Sequence, residues 1–235
     1  MQNRYVGDVG DFAKYSFLNA MSEGRQLGVA WYLFPDEAHN GDGSHISYLE
    51  RADEWRSKDP QVFDALRAIV NSGERSVSGL QNSGALQAAV YADEVLDFTS
   101  ASHTRREQWR REWFARTADR LKHCDLVFCD PDNGLYPDRR YKHCNKQMWK
   151  RQPLEEAVFL SAGRPAVFYH HNTRFVGGHE AEIRHWMQQL VASFAVRARA
   201  FSSRTFFVVN ADEGMRRRAE VWCKRFGPKY ELHHP

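Results

Sequence analysis

A short acidic segment, Asp130-Pro131-Asp132-Asn133-Gly134, contains the residues of this chain best suited to chemistry. It follows Leu126 to Cys129, a short apolar run that predicts a buried strand. In open α/β sheets, ligands bind just beyond the carboxyl ends of such strands. Two carboxylates, an amide and a rigid proline at that point can hold a polar group of a ligand. A plain tight turn is the alternative, because Asp, Pro, Asn and Gly are also common turn residues.

A second group of polar residues lies near the start of the chain, in the stretch RYVGDVGDFAKY of residues 4–15. Gly7 and Gly10 indicate a backbone that needs conformational freedom or close approach. Asp11 is suited to cap a helix, which places Lys14 on its first turns beside Asp8 or Asp11. A capped first helix with a solvated lysine is the alternative.

A third group follows residues 28–35 (GVAWYLFP), which predict another buried strand. The polar loop after it contains Asp36, His39, Gly41 and Gly43. A strand that opens into a glycine-bearing loop is typical of sites that cradle nucleotide-shaped cofactors. An ordinary surface loop has a similar composition.

Residues 136–151 are strongly basic, with Asp138 as their only acid. Positive charge suits phosphates, and interleaved aromatic rings suit stacking on the bases of single-stranded or distorted nucleic acid. The alternative is an exposed basic loop. The residues of this stretch that we assign to nucleic-acid contact are Arg139, Arg140, Tyr141, Lys142 and Lys146.

The elements that must position these groups form an α/β pattern. Apolar runs at 29–34, 126–129 and 166–170 predict strands of one mostly parallel sheet flanked by helices. Residues 194–201 and 205–210 predict a C-terminal antiparallel hairpin. The segments predicted to be helical are 46–72, 104–123, 153–161, 179–192 and, as a helix or extended tail, 216–226. Residues 76–81 suggest a short strand, and 84–98 fit a helix or a helix plus a strand.

Composition favours a single domain spanning residues 1–235. The hydrophobic share of 42% and charged share of 27% are typical of a globular protein, and the net charge of +3 is mild. The four cysteines form no CxxC pair, which favours reduced thiols and a cytoplasmic location. No apolar run has the length of a membrane span, so we expect neither a signal peptide nor a membrane anchor.

The order of the polar segments resembles that of Rossmann-like S-adenosylmethionine-dependent methyltransferases. The likeness is greatest to the bacterial ribosomal RNA methyltransferases that modify the exocyclic amine of an adenine in large-subunit RNA. That family carries an N-terminal HAGNxADVLKH-like segment, and here Gly7, Asp8, Asp11 and Lys14 keep its spacing. Asp8 stands for its asparagine, and Tyr15 for its last histidine.

The other two motifs match less closely. The family's first strand leads into a D-x-H-x-G-x-G loop, which Asp36, His39, Gly41 and Gly43 match if one residue is inserted after Asp36. The family's DPPY motif reads Asp130-Pro131-Asp132-Asn133 here, so asparagine replaces the aromatic residue that stacks on the base. Tyr136 is a candidate for the missing ring.

The resemblance implies a Rossmann-like fold, an S-adenosylmethionine cofactor and transfer of a methyl group to an amine of nucleic acid, RNA rather than DNA. It implies that Asp130 accepts a hydrogen bond from the target amine and that Lys14 pairs with the cofactor's carboxylate. The implied catalytic residues are Asp130, Pro131, Asp132 and Asn133. The implied cofactor-binding residues are Gly7, Asp8, Asp11, Lys14, Asp36, His39, Gly41 and Gly43.

Two other functions remain open from the sequence. Asp130, Asp132, His170, His171 and His179 lie at or after predicted strand ends, as the ligands of a metal-dependent phosphodiesterase or nuclease would. A non-catalytic nucleic-acid-binding module on the same fold is the other alternative.

Overall fold

The computed structural model describes residues 1–37, 43–87 and 89–235, and its centre is a seven-stranded sheet. Along the sheet the strands follow the order β2-β1-β3-β6-β8-β7-β9. Their bounds are β1 Leu27–Ala30, β2 Ala89–Ala92, β3 Leu126–Cys129, β6 Ala166–His171, β7 Phe194–Ala198, β8 Arg204–Val209 and β9 Tyr230–His233. A separate two-stranded pair joins β4 Leu135–Tyr136 to β5 Gln152–Pro153.

Eight α-helices flank the sheet within the described part of the chain. Their bounds are α1 Val9–Met21, α2 Ala52–Trp55, α3 Pro60–Ser72, α4 Val77–Asn82, α5 Arg106–Arg120, α6 Leu154–Leu160, α7 Gly178–Leu190 and α8 Glu213–Phe226. None of the helices in the described ranges is both long and apolar enough to cross a membrane.

One half of the sheet is parallel and the other antiparallel. Strands β2, β1, β3 and β6 run parallel to one another, which confirms that the predicted strands at 29–34, 126–129 and 166–170 share one sheet. Strand β8 pairs antiparallel with both β6 and β7, so the predicted hairpin is confirmed and inserted into the main sheet. After β1 the chain forms β2 on one side and then β3 on the other, which makes the β1/β3 boundary a topological switch point.

The core consists of two layers, one on each face of the sheet. Alternation along β3 divides its side chains: Leu126 and Phe128 pack in the layer with α1, α3 and α8, whereas Val127 and Cys129 pack in the layer with α5, α6 and α7. Both faces are covered, which explains why the parallel strands read as continuous apolar runs.

Some local predictions are wrong. The strand predicted at 29–34 spans Leu27–Ala30, since residues 31–34 are apolar for packing rather than for ladder pairing, and Tyr32 has a φ of 45°. Residues 76–81 form helix α4 instead of a strand, because the Ser76 hydroxyl caps it by accepting from the Gly79 N–H (3.0 Å). Strand β2 lies within the segment 84–98, and the described residues of that segment form no α-helix.

The predicted longer helices are confirmed. Helices α5, α6, α7 and α8 occupy the segments predicted at 104–123, 153–161, 179–192 and 216–226, and α2 and α3 occupy most of 46–72. The first helix begins at Val9, earlier than predicted, because Asp8 rather than Asp11 is its N-cap. That shift leaves Asp11 inside the helix, where its carboxylate can contact Lys14.

Candidate functional site

A cavity of about 320 Å³ lies at the carboxyl edge of the sheet, next to the switch point. Its walls come from the start of α1, the segment after β3, the end of β6 and the start of β8. It brings together most of the described residues predicted for cofactor and substrate. The predicted residues that line it are Asp8, Asp11, Lys14, Gly43, Asp130, Pro131, Asp132 and Asn133.

Lys14 is the centre of a buried charge cluster at this cavity. Its Nζ lies 2.9 Å from Asp11 Oδ1 and 2.8 Å from Asp130 Oδ2, and all three side chains are at most 6% exposed. The rings of Tyr15 and Tyr169 flank the ammonium at 5.5 and 5.3 Å from their centroids. The cation predicted to bind a cofactor's carboxylate is therefore shared by two carboxylates of the protein itself.

The pKa shifts of this cluster follow from burial and charge. Burial alone would lower the pKa of Lys14, but Asp11 and Asp130 outweigh it and raise that pKa above its ordinary value. Burial raises the pKa of Asp11, and the nearby Lys14 opposes that rise. Lys14 is thus charged throughout the physiological range.

Asp130 keeps one acceptor for a ligand. Its Oδ2 bonds Lys14, whereas its Oδ1 has no hydrogen-bond donor among the residues that the structure describes. Asn133, which also lines the cavity, uses its backbone N–H to donate to the Lys150 carbonyl (2.9 Å). The conformation of this segment depends on Gly134, which has a φ of +81° and would place a Cβ 2.5 Å from His170 Nδ1.

Asp132 is tied to other residues of the chain. Gln2 Nε2 donates to its Oδ2 (2.6 Å), and Lys150 Nζ lies 3.8 Å from the same oxygen. Lys150 also pairs with Glu37. Asp132 is therefore held by the protein at the rim of the cavity.

The backbone amides at the start of α1 are already in use. The Val9 N–H donates to the His45 carbonyl (3.0 Å), and the Gly10 N–H donates to the Asp8 carboxylate (2.9 Å). Free backbone amides at a helix N-terminus favour an anionic ligand, but the hydrogen bonds of these amides are satisfied within the chain. At the start of α1, a direct contact to an anion must therefore come from a side chain.

Arg204 is a member of this site that the sequence did not predict. It begins β8, lines the cavity and is 8% exposed. Gly10 makes room for it, since a Cβ at Gly10 would lie 1.4 Å from Arg204 Nη1. The close approach predicted for Gly10 is thus confirmed, and that glycine was the one signal in the sequence for a neighbour at this point.

The remaining predicted cofactor residues that the structure describes lie outside the charge cluster of Lys14. Gly7 has a φ of +88° and its carbonyl accepts a hydrogen bond from the Tyr48 hydroxyl (3.2 Å), but it does not line the cavity. Asp36 accepts a hydrogen bond from Asn3 Nδ2 (3.1 Å) at the surface. A Cβ at Gly43 would lie 2.5 Å from the Arg4 carbonyl, so close packing fixes glycine there. His39 and Gly41 lie outside the described residues.

The basic segment borders a second cavity, of about 880 Å³, beyond Gly134. Tyr136, Arg139 and Arg140 line it together with Arg151, whose guanidinium lies 5.1 Å from the centre of the Tyr136 ring. Tyr136 therefore does not replace the missing aromatic in the first cavity. The segment Asp130 to Tyr136 separates the two cavities.

The other predicted nucleic-acid residues have mixed environments. Lys142 and Lys146 are exposed, and Lys146 Nζ lies 3.8 Å from Glu37. Tyr141 is half-buried, with its ring 5.8 Å from the Arg110 guanidinium and its hydroxyl without a partner in the described ranges. The exposed basic residues are available to a polyanion, whereas Tyr141 packs against the protein.

The geometry does not favour the metal ligands suggested by the sequence. His170 accepts from the Leu135 N–H through Nδ1 (3.0 Å) and bonds Glu182 through Nε2 (3.1 Å), so both ring nitrogens are engaged. Asp130 is paired with Lys14. In the described ranges the only group with metal-ligand spacing is Glu180, Glu231 and His233, and Arg197 pairs with Glu180 there.

A comparison with models of known protein families gives no match to this chain, and a comparison with curated proteins gives none either. The function must therefore be inferred from the geometry of the two cavities.

Proposed function

We propose that this protein is an S-adenosylmethionine-dependent methyltransferase with a Rossmann-like fold, which acts on an amine of nucleic acid, RNA in preference to DNA. The observation that carries the proposal is the cavity at the switch point, where the start of α1 and the segment Asp130 to Asn133 meet. These are two of the three segments on which the sequence resemblance depends. An enzyme of this kind would work in the cytoplasm, where its RNA substrate lies.

The residues around the cavity fit such a cofactor. A volume of about 320 Å³ is in the range of small-molecule sites. The lining carries the carboxylates of Asp8, Asp11, Asp130 and Asp132, which suit a ligand with a sulfonium and an ammonium. When bound, S-adenosylmethionine supplies an electrophilic methyl group, and the protein must hold the accepting amine beside it.

The chain's own residues would orient that amine. Asp130 Oδ1 accepts a hydrogen bond from the amine, while Lys14 holds the other oxygen and so fixes the carboxylate. Transfer to an amine requires positioning and exclusion of water more than a strong base. Pro131 fixes the backbone after Asp130, and the Asn133 side chain offers hydrogen bonds to the base.

The second cavity supports a nucleic-acid substrate. Arg139, Arg140 and Arg151 line it beside Tyr136, directly after the segment that would hold the target amine. Guanidinium groups bind phosphates, and aromatic rings stack on bases. A strand that crosses this cavity would place one flipped nucleotide at Asp130.

Two matched variants test the proposal. Asp130→Asn and Asp11→Asn each leave Lys14 with one carboxylate, so their effects on the buried cluster are similar. We expect Asp130→Asn to lower methyl transfer to RNA by about 100-fold or more while S-adenosylhomocysteine still binds. Asp11→Asn and Asp132→Asn should retain much more transfer.

Calorimetry with S-adenosylmethionine and S-adenosylhomocysteine comes first, followed by transfer of a labelled methyl group to total RNA and to DNA. Wild-type protein that binds neither compound would refute the cofactor assignment. Equal transfer by the Asp130→Asn and Asp11→Asn variants would refute the role of Asp130.

A further inference from the structure

We propose that Arg204, rather than Lys14, binds the carboxylate at the amino-acid end of the cofactor. This inference rests on the proposed function and assigns one residue that the sequence resemblance does not supply. It follows from three features of the cavity: the partners of Lys14, the partners of Arg204 and the balance of charge around them.

Lys14 has no capacity left for a ligand's carboxylate. Asp11 and Asp130 lie at 2.9 and 2.8 Å from its Nζ, and the side chain is 6% exposed. A third carboxylate at the same ammonium would add a negative charge to a buried cluster that already has one in excess.

Arg204, in contrast, has hydrogen-bonding capacity that the described residues leave unused. Its Nη2 donates to the Ala200 carbonyl (3.4 Å) and to the Ser202 hydroxyl, and its Nε has no partner within the described residues. No carboxylate among residues 1–37, 43–87 and 89–235 forms a salt bridge with it. A buried guanidinium without a counter-ion is costly, and a bound anion would remove that cost.

The charge of the cavity decides which anion fits. Arg204 faces a space that is also lined by Asp8, Asp11, Asp130 and Asp132. A phosphate group would meet these carboxylates with little compensation. A zwitterionic amino acid attached to a sulfonium presents a single carboxylate to Arg204 and positive charge to the aspartates.

The test removes the carboxylate from the cofactor and, separately, the guanidinium from the protein. We compare S-adenosylmethionine with its decarboxylated form, which keeps the ammonium and the sulfonium, on wild-type protein and on Arg204→Gln. We expect the wild type to prefer the carboxylate-bearing form by about 10- to 100-fold, as for a charged hydrogen-bonded pair. Arg204→Gln should lose most of that preference and bind the decarboxylated form about as well as the wild type does.

Gly10→Ala provides a second variant that retains the charge. The added methyl group displaces the guanidinium, so the preference should fall although the arginine is still present. Arg199→Gln, an exposed arginine before β8, is the matched control and should keep the wild-type preference. Urea unfolding of each variant verifies that it is folded.

The outcomes separate this inference from the proposed function. Wild-type protein that binds neither form overturns both. An unchanged preference in Arg204→Gln and Gly10→Ala overturns only the role of Arg204. Weaker binding of an RNA oligonucleotide by Arg204→Gln, with the preference intact, would assign the arginine to a phosphate and overturn the inference as well.

Discussion

Replacement of Lys14 by methionine tests how the buried charge cluster is balanced. Methionine keeps most of the side-chain volume but removes the ammonium that Asp11 and Asp130 share. Loss of one partner of a buried ion pair costs about 3–5 kcal/mol. We therefore expect the free energy of unfolding at pH 7 to fall by about that amount in Lys14→Met.

The loss of unfolding free energy in Lys14→Met should grow as the pH rises. Burial raises the pKa of Asp11 and Lys14 opposes that rise, so we expect Asp11 to keep a proton in the folded state once Lys14 is removed. The folded state then binds one proton more than the unfolded state, so stability falls by about 1.4 kcal/mol for each pH unit as the pH rises. Between pH 5 and pH 7 the variant should lose about 3 kcal/mol relative to the wild type.

Urea unfolding of both proteins at pH 5, 6 and 7 measures this difference. Lys122→Met is the matched control, since Lys122 pairs with Asp119 at the surface, with side-chain exposures of 55% and 73%, and should change little. A Lys14→Met protein as stable as the wild type at pH 7, or a difference that does not vary with pH, would refute the proposed balance.

Two further perturbations test the second cavity and its wall. Replacement of Arg139, Arg140 and Lys142 by glutamine should reduce the salt slope of RNA binding by about 2, or roughly 0.7 per phosphate contact, whereas the same exchange at Arg67, Lys122 and Lys229 should not. An unchanged slope in the first triple variant would make the basic segment a solvated surface. Burial alone would raise the pKa of Glu182, but hydrogen bonds from His170 and Thr173 outweigh it and lower that pKa to about 2 from 4.5. The folded pKa is depressed, so the contribution, at most about 3 kcal/mol, is present above pH 4.5 and lost as the pH falls toward 2. In urea unfolding, Glu182→Gln should reduce the loss of unfolding free energy between pH 4.5 and pH 2, whereas the exposed Glu180→Gln should not. A Glu182→Gln protein that loses as much stability over this range as the wild type would contradict the assignment.

The sheet was predictable because its strands are buried on both faces. In a chain of alternating strands and helices, a short apolar run such as Leu126 to Cys129 is typical of a fully buried strand. The same signal predicted that β1 continues to residue 34, although the strand ends at Ala30. Trp31, Tyr32 and Phe34 are apolar because they are buried in the core beyond the end of the strand. A hydrophobic run reports burial, and it does not distinguish ladder residues from the rest of the core.

The members of the site were predictable, but their pairing was not. Lys14 and Asp130 are separated by 116 positions, and no local pattern specifies that they form an ion pair. The N-cap of α1 was predicted at Asp11 instead of Asp8 for the same reason. Both residues are equally suited to cap a helix, and only tertiary contacts select between them. The role of Arg204 could not be predicted either, because an arginine at a strand end is solvated in most proteins and no local pattern indicates that this one is buried.

Two buried cationic side chains of the cavity, Lys14 and Arg204, differ in their partners. Lys14 neutralises the protein's own carboxylates and holds Asp130 in one orientation, which the role proposed for Asp130 in positioning an amine would require. Arg204 keeps hydrogen-bonding capacity that no carboxylate in the described part of the chain uses. One buried cation is thereby committed to the fold and the other is left for a ligand. The cavity combines four aspartates with a guanidinium that has no carboxylate partner among the described residues, and the proposed zwitterionic ligand with excess positive charge would complement both.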